Sequence, residues 1–339
     1  MPASPIKEKT ALQGEMLRNR LKKRYRHLKK WARWRETDAF RLYDRDIPEI
    51  PLVLDLYGDA VSGALYKRPY EKEDAEEAGW LGVMKNAVSL ALEIPADRIF
   101  LKERSRQRGN SQYEKLPDRR NFTLNITEGG IRFAVNLSDY LDTGLFPDRR
   151  LLRSLIRSES AGKRVLNLFC YTASFSVYAA AGGAREVDSV DLSRTYLEWA
   201  AANFGLNGLD ARTIQARDLL LKGELPPFRL IRGDALRFMA EARKAGLTWD
   251  IIILDPPAFS HSKGMETTLD IRRDHRELVA RTLDLLNPKG KLWFSANARR
   301  FSLETEDFPG TAVRDITEQL RDEDFKGKKI PDCYEFTLL

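Results

Sequence analysis

The sequence predicts an α/β protein in which a doubly wound, mostly parallel sheet follows a smaller α+β domain and a basic helix. Apolar runs such as residues 251–254 indicate strands buried on both faces, and such runs alternate with helical stretches from residue 149 onward. This alternation is typical of parallel order. Residues 39–136 instead carry short strand-like stretches around one helix, which is typical of an α+β unit.

Length and composition favour more than one packed unit. The chain has 339 residues, 42% hydrophobic and 32% charged, so we expect a hydrophobic core and little disorder. We predict a basic helical arm at 1–38, a small α+β domain at 39–140 and a larger domain at 141–339. No apolar run approaches the roughly 18 residues of a membrane-spanning helix, and residues 1–10 contain no export signal. We therefore expect no contact with a membrane.

Cysteine and histidine usage favours the cytosol. Cys170 and Cys333 are the only cysteines, and His27, His261 and His275 do not fall at metal-ligand spacing. We expect neither a disulfide nor a metal site, and we expect a monomer.

The charge is concentrated at one end of the chain. Residues 1–35 hold twelve basic and two acidic side chains, or +10, although the whole chain carries +7. A basic segment on an otherwise slightly acidic chain favours a polyanionic partner. Tyr25 and Trp34 interleave with the charges and offer stacking faces for bases. We predict that Arg24, Lys29 and Lys30 contact RNA. The alternative is a helix whose excess positive charge is only solvated.

The first elements follow from periodicity. Residues 12–34 carry apolar side chains three or four apart, which predicts a helix whose narrow apolar stripe packs against another element. Strands are predicted at 39–44, 52–57, 60–67, 99–103, 122–127 and 131–136, and a helix at 72–93. Residues 102–120 form a long polar loop with seven basic side chains, in which we predict that Arg104, Arg106 and Arg108 bind RNA. A merely solvated connection is the alternative.

The larger domain is predicted to alternate strands and helices. Strands are expected at 165–169, 186–190, 230–232, 251–254 and 292–295, helices at 175–181, 194–204, 235–244 and 275–286, and an added edge or antiparallel strand at 332–338. Ligands of such sheets bind at the carboxyl ends of the strands. These ends are where the candidate site residues lie.

Acidic residues follow three successive strands of the larger domain. Asp191 ends the second strand, where a carboxylate can bind both hydroxyls of a ribose, and Asp234 and Asp255 follow the next two. Asp234 could accept the adenine amino group. No Gly-x-Gly-x-x-Gly follows the first strand, so a nucleoside without phosphates, such as S-adenosylmethionine, is favoured over a dinucleotide. Each acid alone could be only a helix cap.

The stretch Asp255-Pro256-Pro257-Ala258-Phe259 is the candidate reacting centre. Two prolines end the strand and fix its carbonyl groups outward, and Phe259 offers a stacking surface for a planar base. The alternative is a proline-terminated strand with a packed phenylalanine.

Five stretches resemble the large-subunit ribosomal RNA methyltransferase K/L family, specifically its C-terminal K half. They are DYLDTGLFPDRR (139–150), NLFCYTASFSVYAAAGGA (167–184), VDLSRTYLEWAAANFGLNGL (190–209), LDPPAFSHSK (254–263) and RRDHREL (272–278). The resemblance implies a class I methyltransferase fold, S-adenosylmethionine as cofactor, and N7 methylation of a guanine in 23S rRNA, with that RNA or a precursor large ribosomal subunit as partner.

The resemblance also implies site residues. Those that would line the cofactor site are Thr143, Gly144, Asn167, Phe169, Tyr171, Thr172, Ala173, Asp191, Ser193, Arg194, Asp234 and Ala235, and those at the reacting centre are Asp255, Pro256, Pro257 and Phe259. Two features depart from the family. Ala173 stands where glycine is usual, and the fused half that methylates a guanine amine is absent.

Guanine N7 has a lone pair and no proton, so direct in-line displacement needs no general base. We expect Asp255 and nearby carbonyl groups to favour the transition state electrostatically. A 5-methylcytosine enzyme would need a nucleophilic cysteine beside the base, but neither residues 255–259 nor residues 295–297 contain one, and Cys170 belongs to the predicted cofactor turn. Methylation of an exocyclic amine and a non-enzymatic RNA-binding assembly factor remain as alternatives.

Overall fold

The computed structural model describes residues 5–66, 73–104, 120–220, 225–260 and 268–339. The chain divides into two units. The first comprises residues 1–130, 135–143 and 323–328, and the second 131–134, 144–322 and 329–339. Within the described ranges, no helix is both long and apolar enough to cross a membrane.

The first unit combines two helices with a four-stranded sheet. Its elements are α1 (Pro5–Trp34), β1 (Ala39–Asp44), β2 (Leu52–Tyr57), β3 (Ala60–Tyr66), α2 (Asp74–Leu92) and β4 (Ile99–Arg104). The sheet order is β1-β2-β3-β4. The first two pairs are antiparallel, whereas β3 and β4 are parallel, because α2 supplies the crossover that a parallel pair needs.

Helix α1 is an integral part of the first unit. Leu17, Leu21 and Leu28 of its apolar stripe are completely buried in the core, as the periodicity predicts. Gly14 lies so close to α2 that an added Cβ would come within 2.8 Å of Val83. Burial of each leucine stabilises the packing by about 1.5–3 kcal/mol. The segment that the sequence sets apart as an arm is therefore packed on the strands that follow it.

The chain then passes toward the second unit through β5 (Thr123–Glu128) and β6 (Ile131–Asn136). Gly129 and Gly130 join them with φ of 58° and 76°. Both values lie in the left-handed region that glycine adopts without strain.

The second unit is built on an eight-stranded sheet. Its strands are β7 (Arg164–Leu168), β8 (Glu186–Asp191), β9 (Ala211–Ile214), β10 (Phe228–Arg232), β11 (Trp249–Leu254), β14 (Leu286–Ala296), β15 (Thr311–Asp315) and β16 (Asp332–Leu338). A separate two-stranded sheet contains β12 (Phe259–Ser260) and β13 (Leu269–Asp270). The helices are α3 (Arg150–Glu159), α4 (Ser174–Ala181), α5 (Arg194–Leu206), α6 (Ala235–Lys244) and α7 (Ile271–Leu283).

The order of the large sheet is β15-β16-β14-β11-β7-β8-β10-β9. The six strands from β14 to β9 run parallel, and β16 and β15 are antiparallel. Strand β7 has β8 on one side and β11 on the other, so the strand order reverses there. This topological switch point is where ligands of doubly wound sheets bind.

Most predicted elements are confirmed to within a few residues, and some are corrected. The strand at 332–338 is antiparallel but not at the edge, because β15, which was not predicted, lies outside it. Helix α7 begins at Ile271 rather than residue 275 and ends before residues 284–286, since the Asp270 side chain caps it. Strand β9 and helix α3 were not predicted. The apolar periodicity does not predict helix α3, because arginines occupy part of its buried face.

Candidate active site

The turn after β7 has an unusual backbone. Phe169, Tyr171 and Ala173 have φ of 57°, 54° and 59°, although non-glycine residues seldom adopt positive φ. Hydrogen bonds from Cys170 N to Val190 O (2.9 Å) and from Ala173 N to Cys170 O (2.8 Å) hold this geometry. The turn is therefore strained locally and maintained by its neighbours.

Ala173 shows why glycine suits this position. It is completely buried, has φ 59° and ψ 31°, and precedes α4 as its N-cap residue. An alanine in the left-handed region costs about 1–2 kcal/mol relative to an ordinary conformation. The departure from the family pattern is thus accompanied by local backbone strain.

Asp191, at the end of β8, faces this turn. Its Oδ2 accepts a hydrogen bond from Tyr171 N (2.9 Å) and its Oδ1 accepts one from Ser193 N (2.8 Å). Burial raises the pKa of Asp191 to about 6, although hydrogen bonds from backbone N–H groups oppose the shift. Each carboxylate oxygen has a second lone pair, so Asp191 can still accept from two hydroxyl groups.

The turn that follows β10 is open beside Asp191. Gly233 donates its N–H to Asp191 O (3.0 Å), and a Cβ added to Gly233 would meet nothing within 4 Å. An acceptor for both ribose hydroxyls therefore lies beside an open turn. These residues suit the adenosine part of S-adenosylmethionine, and Asp191 stays the predicted ribose ligand.

Polar contacts brace the turn from the α5 side. Thr172 donates its hydroxyl to Gly144 O (2.6 Å), and Asn203 Nδ2 donates to Thr172 O (2.9 Å). Gly144 has φ of 96°, and an added Cβ would lie 2.2 Å from the Trp199 ring. The sequence did not identify Asn203 or Trp199, which belong to α5 and lie about one helical turn apart. Thr143 belongs to the first unit, where its hydroxyl donates to Tyr57 Oη (2.8 Å).

Several predicted cofactor residues have their side chains engaged elsewhere. Asn167 is buried and donates to Ser176 Oγ (2.9 Å). Phe169 and Ala235 pack into the core. Arg194 forms an exposed ion pair with Glu198 (2.7 Å). These residues can contribute backbone groups to a ligand site, but their side chains already have structural contacts.

Asp234 and Ser193 both cap helices. Asp234 Oδ1 accepts from Arg237 N (2.9 Å) at the start of α6, and Ser193 Oγ accepts from Tyr196 N (3.3 Å) at the start of α5. Asp234 is therefore a helix cap, which is the alternative role that the sequence left open. Its location after β10 remains compatible with the predicted contact to adenine.

The candidate reacting centre follows β11, on the other side of β7 from Asp191. Pro256 is buried, whereas the Phe259 side chain is 45% exposed. Phe259 pairs with Asp270 through the β12–β13 sheet, and Ile271 N donates to Ala258 O (3.1 Å). The turn thus presents an aromatic ring to solvent from a fixed backbone.

Arg149 binds the Asp255 carboxylate with two parallel hydrogen bonds. Its Nε donates to Oδ2 (3.0 Å) and its Nη2 to Oδ1 (2.8 Å), with the side chains only 10% and 16% exposed. Burial alone would lower the pKa of Arg149, but Asp255 and Asp148 outweigh burial and raise it. The sequence did not identify Arg149, since 106 residues separate it from its partner.

The two cysteines are poorly placed for nucleophilic chemistry. Cys170 and Cys333 are both free and buried, and burial raises the pKa of each thiol. A thiol of high pKa is seldom the reactive thiolate. Among the described residues, no group of histidine, cysteine and carboxylate side chains could hold a metal ion.

The predicted RNA-binding residues are only partly described. Arg24 Nη2 donates to Asp324 O (3.2 Å), and Lys29 Nζ lies 5.6 Å from the centre of the Tyr25 ring. Lys30 is exposed. Arg106, Arg108 and the Arg104 side chain lie outside the described residues.

Comparison with known proteins identifies the family. Residues 51–304 match the model of a family described as S-adenosylmethionine-dependent methyltransferase. Ribosomal RNA large subunit methyltransferase K of Neisseria meningitidis serogroup B is 43% identical over 317 residues, which cover 94% of this chain and 85% of the relative. Ribosomal RNA large subunit methyltransferase K/L of Saccharophagus degradans is 41% identical over 325 residues, which cover 94% of this chain but 41% of the relative. The chain therefore spans less than half the length of that K/L relative.

A solved structure shares the fold. SMU.776, crystallised in complex with SAH, superposes with a TM-score of 0.71 at 24% identity, over 96% of this chain and 82% of that one. The predicted class I fold and the predicted cofactor, S-adenosylmethionine, are both confirmed. The chain belongs to the S-adenosylmethionine-dependent methyltransferase family, among the ribosomal RNA large subunit methyltransferases K and K/L.

Proposed function

We propose that the chain methylates N7 of a guanine in 23S rRNA. The names of the relatives in N. meningitidis and S. degradans specify large-subunit ribosomal RNA, and the resemblance to the K half implies guanine N7. The observation that carries the choice of N7 is the pairing of Asp255 with Arg149.

The Arg149–Asp255 pair bears on which atom of the base accepts the methyl group, because the possible acceptor atoms differ in whether they carry hydrogens. An exocyclic amine carries hydrogens that need acceptors and loses one of them on methylation. The charge of Asp255 is already paired with that of Arg149, so this carboxylate attracts the hydrogens of an amine less strongly than an unpaired carboxylate does. Guanine N7 offers a lone pair and has no proton to lose. The geometry therefore favours N7 over an amine.

Catalysis by this chain is then mainly a matter of positioning. S-adenosylmethionine, when bound, supplies an electrophilic methyl group on a sulfonium. Asp191 orients the ribose, and Arg149 acts as a positioning residue that fixes Asp255 and the two prolines after it. Because Arg149 neutralises the carboxylate, we assign electrostatic support of the transition state to carbonyl groups of this turn rather than to the Asp255 side chain.

The target guanine must leave its helix. N7 lies in the deep major groove of A-form RNA, which side chains cannot read, so the base is unpaired or extruded. Phe259 is exposed enough to stack on it. Helix α1 keeps a set of exposed cations for the RNA backbone, namely Lys22, Lys23, Arg26, Lys29, Lys30 and Arg33, with Trp34 exposed beside them.

The other functions have less support. A 5-methylcytosine enzyme needs an accessible thiolate, and both cysteines are buried with raised pKa values. A non-enzymatic assembly factor would not need the paired Asp255 or the acceptor geometry at Asp191. Failure to bind S-adenosylmethionine would favour that alternative.

The proposal is tested with purified protein, 23S rRNA transcript and tritiated S-adenosylmethionine. The labelled RNA is digested to nucleosides and separated by chromatography with mass spectrometry. We expect label in 7-methylguanosine. Label in an N2-methylguanosine or N6-methyladenosine peak, or no label on naked RNA and precursor large subunits alike, would contradict the proposal.

A further inference from the structure

A basic cavity of about 280 Å³ opens in the second unit, outside the site described above. Four arginines line it, Arg272, Arg273 and Arg276 from α7 and Arg300 from the segment after β14, together with the ring of Phe301. Among the lining residues that the structure describes, Glu304 is the one acidic residue. We call it the arginine pocket. No function is predicted for these arginines from the sequence alone.

The backbone links the arginine pocket to the candidate reacting centre. Phe259 and Ser260 pair with Asp270 and Leu269, and Arg272 follows two residues after this pairing. Strand β14 runs parallel to β11 beside it, so its carboxyl end, from which the chain reaches Arg300, lies at the same edge of the sheet as Asp255. A strand of RNA with its base at Phe259 would therefore have neighbouring phosphates at this edge.

Local acids hold three of the guanidinium groups. Arg272 pairs with Asp270 (3.1 Å), Arg273 with Asp274 (2.6 Å) and Arg276 with Asp307 (2.6 Å), and these arginine side chains remain 60–65% exposed. Exposed ion pairs contribute only about 0–1 kcal/mol. They orient the arginines at little cost, and phosphate oxygens can still compete for the outward N–H groups.

Arg300 differs from the other three arginines of the pocket. Among the residues that the structure describes, it has no ion pair, and it is exposed with φ of 54°. The neighbouring Phe301 ring is braced edge-on against His275 (centroids 5.0 Å apart) and Phe294 (5.9 Å). The pocket therefore combines a free cation with a fixed aromatic wall.

The size of the pocket indicates the class of ligand. Sites that enclose a whole small molecule have volumes of about 300–1,000 Å³, and this cavity falls just below that range. A phosphodiester with part of its ribose is a better fit than a complete nucleotide cofactor. Guanidinium groups bind phosphate oxygens with paired hydrogen bonds.

We propose that the arginine pocket binds the phosphodiester backbone of the RNA strand that carries the target base, close to Phe259. The proposal rests on the proposed function for the identity of the RNA. It adds a second RNA contact to that of α1 and places it in the unit that holds the cofactor.

The test compares two triple variants. The pocket variant carries R272A, R276A and R300A. The control variant carries R237A, R243A and R281A, which remove three exposed arginines of α6 and α7 that also pair with acids, namely Glu241, Asp284 and Glu277. Binding of a 23S rRNA transcript is measured between about 50 and 200 mM salt, and calorimetry with S-adenosylmethionine checks that both variants are folded.

We expect the pocket variant to bind RNA about tenfold more weakly, with a salt slope lower by about 2, because each lost phosphate contact removes roughly 0.7–0.9 from the slope. The control should retain the affinity and slope of the parent protein. Equal affinity and slope in the two variants would overturn the proposal.

If the pocket variant fails to fold, a cross-linking experiment tests the proposal instead. The unmodified protein is irradiated with a transcript containing 4-thiouridine, and the tryptic peptide of residues 301–314 is examined for attached nucleotide. We expect a cross-link, and its absence would count against the pocket. If the pocket variant has a lower salt slope than the control but the parent protein forms no 7-methylguanosine, only the proposed function is refuted. If the parent protein forms 7-methylguanosine but the two variants have equal salt slopes, only RNA binding by the arginine pocket is refuted.

Discussion

The regions around Asp191 and Asp255 hold two carboxylates in opposite ways. Both follow strands that flank β7, and Val190 and Leu254 lie level with Leu168 between them. Asp191 is held by backbone N–H groups and keeps lone pairs for a ligand. Asp255 is held by a guanidinium that donates to both of its oxygens and neutralises its charge. The same residue type therefore keeps acceptors available for the proposed ligand on one side of the switch point and anchors a turn on the other.

The largest expected effect comes from breaking the Arg149–Asp255 pair. Arg149→Met leaves a buried carboxylate without a partner, which should lower the free energy of unfolding by about 3–5 kcal/mol and abolish methyl transfer. Chemical denaturation and a methylation assay measure the two effects. The double variant Arg149→Met, Asp255→Leu should recover most of the stability but no activity. Recovery of activity in the double variant would show that the turn needs no such anchor.

Asp255→Asn separates turn positioning from cofactor binding. Asparagine keeps the shape of the side chain but loses the charge that binds Arg149, so we expect methyl transfer to fall by at least tenfold. Calorimetry should show S-adenosylmethionine affinity unchanged. Full turnover in this variant would show that the charge of Asp255 is not needed for methyl transfer.

On the other side of β7, Asp191→Asn should weaken binding of S-adenosylmethionine. Loss of charged hydrogen bonds to the ribose costs about 1.5–3 kcal/mol, or roughly tenfold to more than a hundredfold in the dissociation constant. Asp210→Asn provides the control, because Asp210 is exposed, pairs with Arg212 (2.9 Å) and is not a predicted site residue. Equal losses in the two variants would contradict a special role for Asp191.

The pKa of Asp191 predicts a pH dependence of cofactor affinity. Burial raises this pKa from 3.8 to about 6, so the carboxylate protonates as the pH falls through 6 and loses acceptors for the ribose. Affinity should fall below pH 6 in the parent protein and stay flat in Asp191→Asn. The effect on folding has the opposite sign: the raised pKa favours the folded state below pH 3.8, and this contribution is lost as the pH rises through 6.

The smallest effect is expected at Ala173. Ala173→Gly relieves left-handed strain but adds freedom to the unfolded chain, so the free energy of unfolding should rise by no more than about 1 kcal/mol. Ala173→Val should lower it, because a β-branched residue is worse in this conformation. Urea unfolding of both variants measures the difference. A fall of more than about 1 kcal/mol in the glycine variant would show that relief of strain does not offset the added freedom of the unfolded chain.

The two regions also differ in how well the sequence predicted them. Asp191 was predicted because parallel strands place their carboxyl ends at one edge, and a strand ending in an acid is visible in the sequence. Arg149 was not predicted, since its partner is set by tertiary packing, although it lies in a stretch that carries the family resemblance. The arginines of α7 look like an ordinary solvated helix face. Only the backbone pairing of Phe259 with Asp270 places them beside the candidate reacting centre.

The central claim is tested most directly in cells. 23S rRNA is isolated from cells with and without this chain, digested in fragments and compared by mass spectrometry. The account predicts that one 7-methylguanosine disappears when the chain is absent and returns when the chain, but not Asp255→Asn, is supplied. An unchanged set of 7-methylguanosines, or loss of a methyl group from an exocyclic amine instead, would contradict it.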